Sequence, residues 1–433
     1  MKAKTIAIID TLWIGHHPTF FKNYTRALLE LGYRVLAFCP DPEDLHQWAT
    51  SHIGDRLDKE SNNLWIYKLV RPREKNFGLR LSYKLIRELE KNLIKLGIDS
   101  YFKNILSLET MQYWRDASVA LDRAVLELGE KPDLVFLAML DNYLSKWISP
   151  SQISQIFPYQ WSGLYLHPRH LRLANCQQSF PAGSWQPDNL LNSSLCQSVA
   201  LLDEGVVEKL SQRIARKPIV VFPDITNEAE PDWEDYRVKE LKEKAKGRKI
   251  IGLFGSLDKR KGILTLLSAA EQLKEKEYFF ILAGKLWISN FSRQEQKFLK
   301  DTIESSPSNC LFYLDDFIPD GVKINGLLSA CDILMLAYEK VLHSSNMLTK
   351  AAVLQKHVIV SEGYCMAERT KKYRLGLTIA EGDVLELIRA IEYMSQGEDG
   401  KLDSDFAGLR ENHSYERLLE AFEEIINSDI AKG

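Results

Sequence analysis

A chain of 433 residues is longer than one hydrophobic core usually grows, so two domains are expected. Its 45% hydrophobic and 27% charged residues are ordinary for a globular protein, and a net charge of −3 without a long basic stripe gives no pull toward nucleic acid. Six cysteines (39, 176, 196, 310, 331 and 365) form no CxxC pair and no zinc-spaced cluster with histidine, which predicts buried thiols in a reducing compartment.

The N-terminal run predicts a strand at Thr5 to Ile9, a loop at Asp10 to His17 and a helix from Pro18 to Leu31. Pro18 suits a first helical turn, where a missing N–H costs nothing, and Gly32 suits the helix end. No small-residue cleavage site follows the apolar run, so it reads as a first strand and not as a signal peptide. With a second strand at Arg34 to Phe38, residues 5–38 form a parallel βαβ unit. Apolar β-like runs recur at Leu64 to Leu69, Leu134 to Leu140, Gly163 to Leu166 and Ser198 to Leu202, with a long helical region over about Leu79 to Leu128. Within it, 71–103 holds nine basic and four acidic residues around an apolar stripe. Such a helix either packs on its own sheet or lies peripherally on anionic lipid. No segment has the apolar length of a membrane span, so a cytoplasmic protein, with peripheral membrane contact as an option, is expected.

The stretch KPIVVFPDITNEAEPDW, Lys217 to Trp233, carries three prolines and an acidic cluster and reads as the start of a linker. Residues 1–217 are then the first domain, 218–248 the linker and 249–412 the second domain, with an amphipathic helix in 413–430 returning to the first. Beyond the linker, strands at 250–254, 278–283, 311–314, 333–336, 357–361 and about 377–379 alternate with helices, as in a doubly wound parallel sheet.

The richest segment is IIGLFGSLDKRKGILTLLSAAEQLKEKEYFFILAG, Ile250 to Gly284. A strand enters a glycine loop, and Lys261 and Gly262 stand where that loop becomes a helix. Unpaired N–H groups, close backbone approach and an adjacent ammonium make a phosphate site. Ser344, Ser345 and Asn346 precede a second helix start, with Lys350 one turn in. They either cap that helix or bind an anion. In the first half, Gly15, His16 and His17 precede a helix, and His167 ends the run QWSGLYLHP. These histidines either donate to a phosphate, bind an acceptor hydroxyl, or are merely solvated. Asp141 reads first as the N-cap of a helix at Tyr143 to Ile148.

The succession GSLDKRKG, ILAG, ACDILMLAY, a serine-rich helix start and VIVS resembles the nucleotide-sugar half of family 4 glycosyltransferases, over roughly residues 250–395 and loosely over 1–40. The resemblance implies an α/β GT-B fold, two doubly wound Rossmann-like domains facing across a cleft. It implies a nucleoside-diphosphate sugar as co-substrate, with no further cofactor and no metal, and a retaining transfer on domain closure. The acceptor, a sugar, lipid or small molecule, would lie against the first domain. Lys261 and Gly262 match the family lysine and glycine at the donor diphosphate. The family arginine falls on Ser256, with Lys259 or Arg260 as substitutes. The paired family glutamates fall on Leu342 and Lys350, and Glu339 is the nearby acid. Gly15 takes the place of the family's small glycines near the phosphates, and His167 that of a histidine touching the transferred sugar. His16 and His17 are acceptor-side candidates. The departures admit an alternative, a degenerate GT-B protein that binds sugar nucleotides in a polysaccharide pathway without turnover. A sugar-nucleotide epimerase of the same fold lacks matching acidic residues.

Overall fold

The computed structural model describes residues 3–15, 17–53, 63–71, 107–172, 187–214, 217–305, 310–396 and 402–428, with 85, 89 and 105. The chain divides into two compact units, Met1–Pro223 with Tyr415–Gly433, and Asp224–Ser414.

Unit 1 is a parallel sheet of seven strands among the described residues, β1 (Thr5–Ile9), β2 (Arg34–Cys39), β3 (Leu64–Lys68), β4 (Leu134–Leu137), β5 (Trp161–Tyr165), β6 (Val199–Leu201) and β7 (Ile219–Val221). Their spatial order is β3-β2-β1-β4-β5-β6-β7, the doubly wound pattern with its reversal beside β1. Helix α1 (His17–Glu30) ends as Gly32 dictates. The Gly32 N–H reaches Leu29 O and the Tyr33 N–H reaches Leu28 O, both at 3.0 Å. Strands β1 and β4 are buried along their whole length, which is why they read as unbroken apolar runs. β4 stops three residues short of the expected Leu140, because the chain turns into a short 3₁₀ segment at Leu140–Tyr143.

The C-terminal helix Tyr415–Asn427 belongs to this unit. Phe422 makes edge-on contacts with Tyr24 of α1, Phe136 of β4 and Phe222 after β7, with centroids 5.1–5.5 Å apart. Such pairs are each worth about 0.5–1.5 kcal/mol beyond the area they bury. The basic stretch 71–103 lies outside the described residues apart from 71, 85 and 89. Among the described residues no helix is long and apolar enough to cross a membrane.

Unit 2 is a parallel sheet of six strands among the described residues, β8 (Lys249–Phe254), β9 (Tyr278–Ala283), β10 (Leu311–Leu314), β11 (Ile333–Leu336), β12 (His357–Ser361) and β13 (Gly376–Ile379). The order is β10-β9-β8-β11-β12-β13, so the reversal falls between β8 and β11. Its helices include α2 (Tyr236–Ala245), α3 (Ile263–Gln272), α4 (Val322–Ala330) and α5 (Asn346–Val353).

The expected linker 218–248 is instead largely built into the two units. Ile219–Val221 pairs with Val199–Leu201 as an edge strand, and α2 carries buried Val238 and Leu241 into the second core. Prolines 218 and 223 bracket that edge strand, where an absent N–H is tolerated, and so imitate the composition of a linker.

Candidate functional site

In unit 2 the loops after β8, β9 and β11 converge because glycine lets them. Gly284 has φ +139°, and a Cβ there would stand 1.8 Å from Gly255 O. Gly262 has φ +71°, and its Cβ would stand 2.5 Å from Ala337 O. Just before Gly262 comes a turn at Lys259–Lys261, capped by Asp258, whose carboxylate accepts from the Arg260 N–H at 3.0 Å.

The three consecutive cations of this turn have different fates. Lys259 pairs with Glu295, and Arg260 folds back onto Asp258, with Nη2 at 2.7 Å. Neither therefore replaces the family arginine in the arrangement seen. Lys261 places its ammonium 3.9 Å from the centre of the Tyr338 ring and close to Gly255. Among the described residues no carboxylate lies within ion-pair distance of it. A ring face attracts the ammonium without setting an opposite formal charge against an incoming anion. Tyr338 is buried, and its hydroxyl has no hydrogen-bond partner among the described residues.

Ser256, where the sequence resemblance would put an arginine, accepts a hydrogen bond from the Trp287 indole N–H at 2.7 Å. Glu339 follows Tyr338 directly, its N–H bonded to Arg260 O at 2.7 Å. Burial, then the charge of Glu381, pushes the Glu339 carboxyl above its usual range. Glu381 itself accepts from the Lys340 N–H at 2.9 Å.

The start of α5 is arranged differently from the capping or anion site expected. Ser344 donates to Asp224 and accepts from Arg369 at 2.5 Å. Asn346 accepts from Thr226 at 3.0 Å and donates to Ile225 O at 2.5 Å. Lys350 is 1% exposed, 2.8 Å from Asp320, 3.1 Å from Asn325 Oδ1 and 3.2 Å from Asn227 O. Ser345 holds the N-cap position without a side-chain capping bond. Three of the four polar side chains therefore fasten the segment 224–227 onto unit 2. The backbone at 224 is also held, since its N–H donates to the buried His413 Nδ1 at 2.9 Å.

In unit 1 acidic residues organise the carboxyl edge of the sheet. Asp10, buried directly after β1, accepts from the Leu12 N–H at 2.8 Å and lies 2.8 Å from His17 Nδ1. Gly15, at φ +61°, turns the same loop, while His16 lies outside the described residues. Asp141 does not start a helix at 143–148. Its two oxygens accept from the N–H groups of Leu166 and His167, each at 2.8 Å, and Oδ1 stands 3.6 Å from His167 Nδ1. His170 rests on the buried Asp188 at 2.8 Å, which also receives the Tyr165 hydroxyl at 3.3 Å. Burial and that carboxylate raise the Tyr165 pKa far above the usual phenol range. Asp10, Asp188, Tyr338 and Trp287 are not among the residues the sequence singled out. Asp10 and Tyr338 were within reach of the rule that ligand groups follow strand carboxyl ends. Asp188 and Trp287 stand in longer connections that the rule does not index.

No family model matches the chain, and no curated protein shows significant sequence similarity to it. Solved structures do resemble it. HepE of Anabaena, in complex with UDP and glucose, superposes with a TM-score of 0.64 at 14% identity, over 98% of this chain and 100% of that one. A structure described as trehalose-6-phosphate from E. coli bound with UDP-2-fluoro glucose gives 0.63 at 12% identity, over 98% and 99%. A glycosyltransferase from Rickettsia africae gives 0.59 at 16% identity, over 100% of both chains. At such identities the likeness carries the fold. With the two doubly wound parallel sheets it defines a GT-B architecture of two Rossmann-like domains.

Proposed function

We propose that this protein is a glycosyltransferase that moves a sugar from a nucleoside-diphosphate sugar to a hydroxyl acceptor. The observation that carries this is Lys261, an ammonium without a carboxylate partner among the described residues, held over Tyr338 at the reversal of a Rossmann-like sheet. GT-B structures similar to it hold UDP with glucose or UDP-2-fluoro glucose, which makes a uridine diphosphate sugar the first donor to test. In the reaction the anomeric C–O bond to the diphosphate breaks, its electron pair leaving with the phosphate oxygen. The acceptor oxygen bonds to the anomeric carbon and its proton passes to a base. Lys261 stabilises the departing charge, a role electrostatic preorganisation suits, while the N–H groups of Gly255, Arg260, Lys261 and Gly262 are already bonded within the protein. The family 4 resemblance favours retention and metal independence, with the acceptor a glycan, lipid or small molecule of a polysaccharide or glycolipid pathway. His16 and His17 are the acceptor-side candidates, with His17 beside Asp10, and His167, beside Asp141, is the group assigned to touch the transferred sugar.

A second reading is a GT-B protein that binds sugar nucleotides without turnover. It is favoured by Lys350, which stands where the family has a glutamate and is consumed by Asp320. Incubation with UDP-glucose and a panel of other sugar nucleotides, reading release of the free nucleotide, separates the two. Release by the wild type that Lys261→Ala abolishes supports the enzyme. Binding without release supports the second reading, and neither binding nor release sinks both.

A further inference from the structure

Trp287, in the loop after β9, is half exposed yet fixed at both ends. Its indole N–H donates to Ser256 Oγ at 2.7 Å, and its backbone N–H donates to Leu257 O at 2.9 Å. Leu257 in turn donates to Lys285 O at 2.9 Å, so the loops after β8 and β9 are tied together below the ring. A tryptophan held this way offers a flat apolar face that loses little freedom when something stacks on it. Ser256 adjoins Gly255, on which a Cβ would stand 3.8 Å from the Lys261 ammonium, so the cationic and aromatic groups meet adjacent residues of one short backbone segment. The next loop outward, after β10, carries Phe317, 77% exposed, and Gly284 donates to Leu314 O at 3.0 Å to hold the two loops side by side. Along this edge the groups thus run from a cation at the β8/β11 reversal to exposed aromatic rings over β9 and β10.

That order fits an elongated ligand with an anion at one end and a planar ring at the other. We infer that Trp287 is the stacking wall for the nucleobase of a nucleoside diphosphate whose phosphates meet Lys261, with Ser256 orienting the indole. The inference rests on the transferase reading for the phosphate end, and it assigns the base end to Trp287, which the family resemblance leaves unassigned. In this chain the serine in place of the family arginine has a positive use as the acceptor that fixes the ring.

The test measures binding of UDP, ADP, GDP, UDP-glucose and inorganic pyrophosphate to the full chain by calorimetry, with Trp287→Ala, Trp287→Phe and Lys261→Ala. Base–aromatic stacking predicts that Trp287→Ala weakens the best nucleoside diphosphate by about tenfold or more. Pyrophosphate affinity stays within about twofold, since the phosphates do not touch the ring. Trp287→Phe keeps most of the nucleotide affinity and loses the quenching of tryptophan fluorescence that UDP produces. Lys261→Ala weakens both ligands. Equal loss of pyrophosphate and nucleotide in Trp287→Ala, or no loss of either, overturns the assignment. So does a loss confined to UDP-glucose, which would give the ring to the sugar. Wild-type protein that binds pyrophosphate but no nucleoside diphosphate more tightly overturns this inference and leaves the phosphate site standing. Wild-type protein that binds none of the probes overturns the transferase reading as well.

Discussion

The ammonium of Lys350 lies 2.8 Å from the carboxylate of Asp320, inside unit 2 and with 1% of the lysine exposed. Two further acceptors, Asn325 Oδ1 and Asn227 O, complete its hydrogen bonding. Asp320 keeps 28% of its side chain exposed and is resolvated when the lysine goes, so the loss falls on the Asn325 and Asn227 acceptors left short of a donor, about 1–3 kcal/mol. Lys350→Ala is expected to lower the free energy of unfolding by that amount in urea titrations. Lys350→Glu is expected to cost more, because it sets a carboxylate against Asp320 and a carbonyl. Stability equal to wild type in the glutamate variant would show that the lysine is not the strut described.

Ser344 and Lys261 are expected to separate stability from ligand binding. Ser344→Ala removes the hydroxyl between Arg369 and Asp224, leaving buried polar groups short of a partner, and should cost about 1–3 kcal/mol. Its affinity for pyrophosphate should stay near wild type. Lys261→Ala reverses the pattern, since no ion pair is broken. Stability should fall by only about 0.5–1 kcal/mol, the worth of the lost cation–π contact with Tyr338. A charge-assisted contact worth about 1.5–3 kcal/mol predicts a ten- to hundredfold loss of pyrophosphate affinity. The opposite pattern in calorimetry would move the anion site to the start of α5.

Most strands were legible in the sequence because parallel strands covered on both faces become short, uninterrupted apolar runs. The runs at 278–283, 311–314, 333–336 and 357–361 coincide with the observed strands. The Lys261–Gly262 turn was legible for a related reason, since a glycine and a lysine at a loop-to-helix boundary are local signals. The partners of Ser344, Asn346 and Lys350 were not. Capping preference reads a few residues in each direction, whereas Asp224, Ile225 and Asn227 lie more than a hundred residues upstream. Lys350 in particular reads as a one-turn-in phosphate ligand until Asp320 is seen beside it. The edge strand at 219–221 was hidden by its flanking prolines, which mark linkers and sheet edges alike.

Gly262→Ala should damage the site through the backbone. The residue sits at φ +71°, and its new methyl carbon would meet Ala337 O at 2.5 Å. A left-handed conformation alone costs a non-glycine residue about 1–3 kcal/mol, and the clash adds to that. Relief requires the Lys259–Lys261 turn to move away from β11, which carries Lys261 off the Tyr338 ring. Both the urea midpoint and pyrophosphate affinity should therefore fall. A variant that loses stability but binds pyrophosphate as wild type does would show that the turn does not position the ammonium.

Glu339 gives a pH dependence whose sign follows from its surroundings. Burial, and after it the charge of Glu381, raises its carboxyl above the usual 4.5, so the folded protein holds this proton more tightly than the unfolded chain does. Below that usual value both states are protonated and the group costs nothing. As pH rises from 4.5 through the raised folded pKa, the unfolded chain releases the proton first and the folded state loses stability. Glu339→Gln removes the titration. It is therefore expected to be more stable than wild type at neutral pH, by a margin that shrinks toward zero near pH 4. Glu381→Gln should lower the pKa of Glu339 and reproduce part of the gain. Urea titrations of the three proteins from about pH 4 to pH 8 measure the margin directly. A margin that does not vary across that range would show that the Glu339 carboxyl is as well solvated in the folded protein as in the unfolded chain.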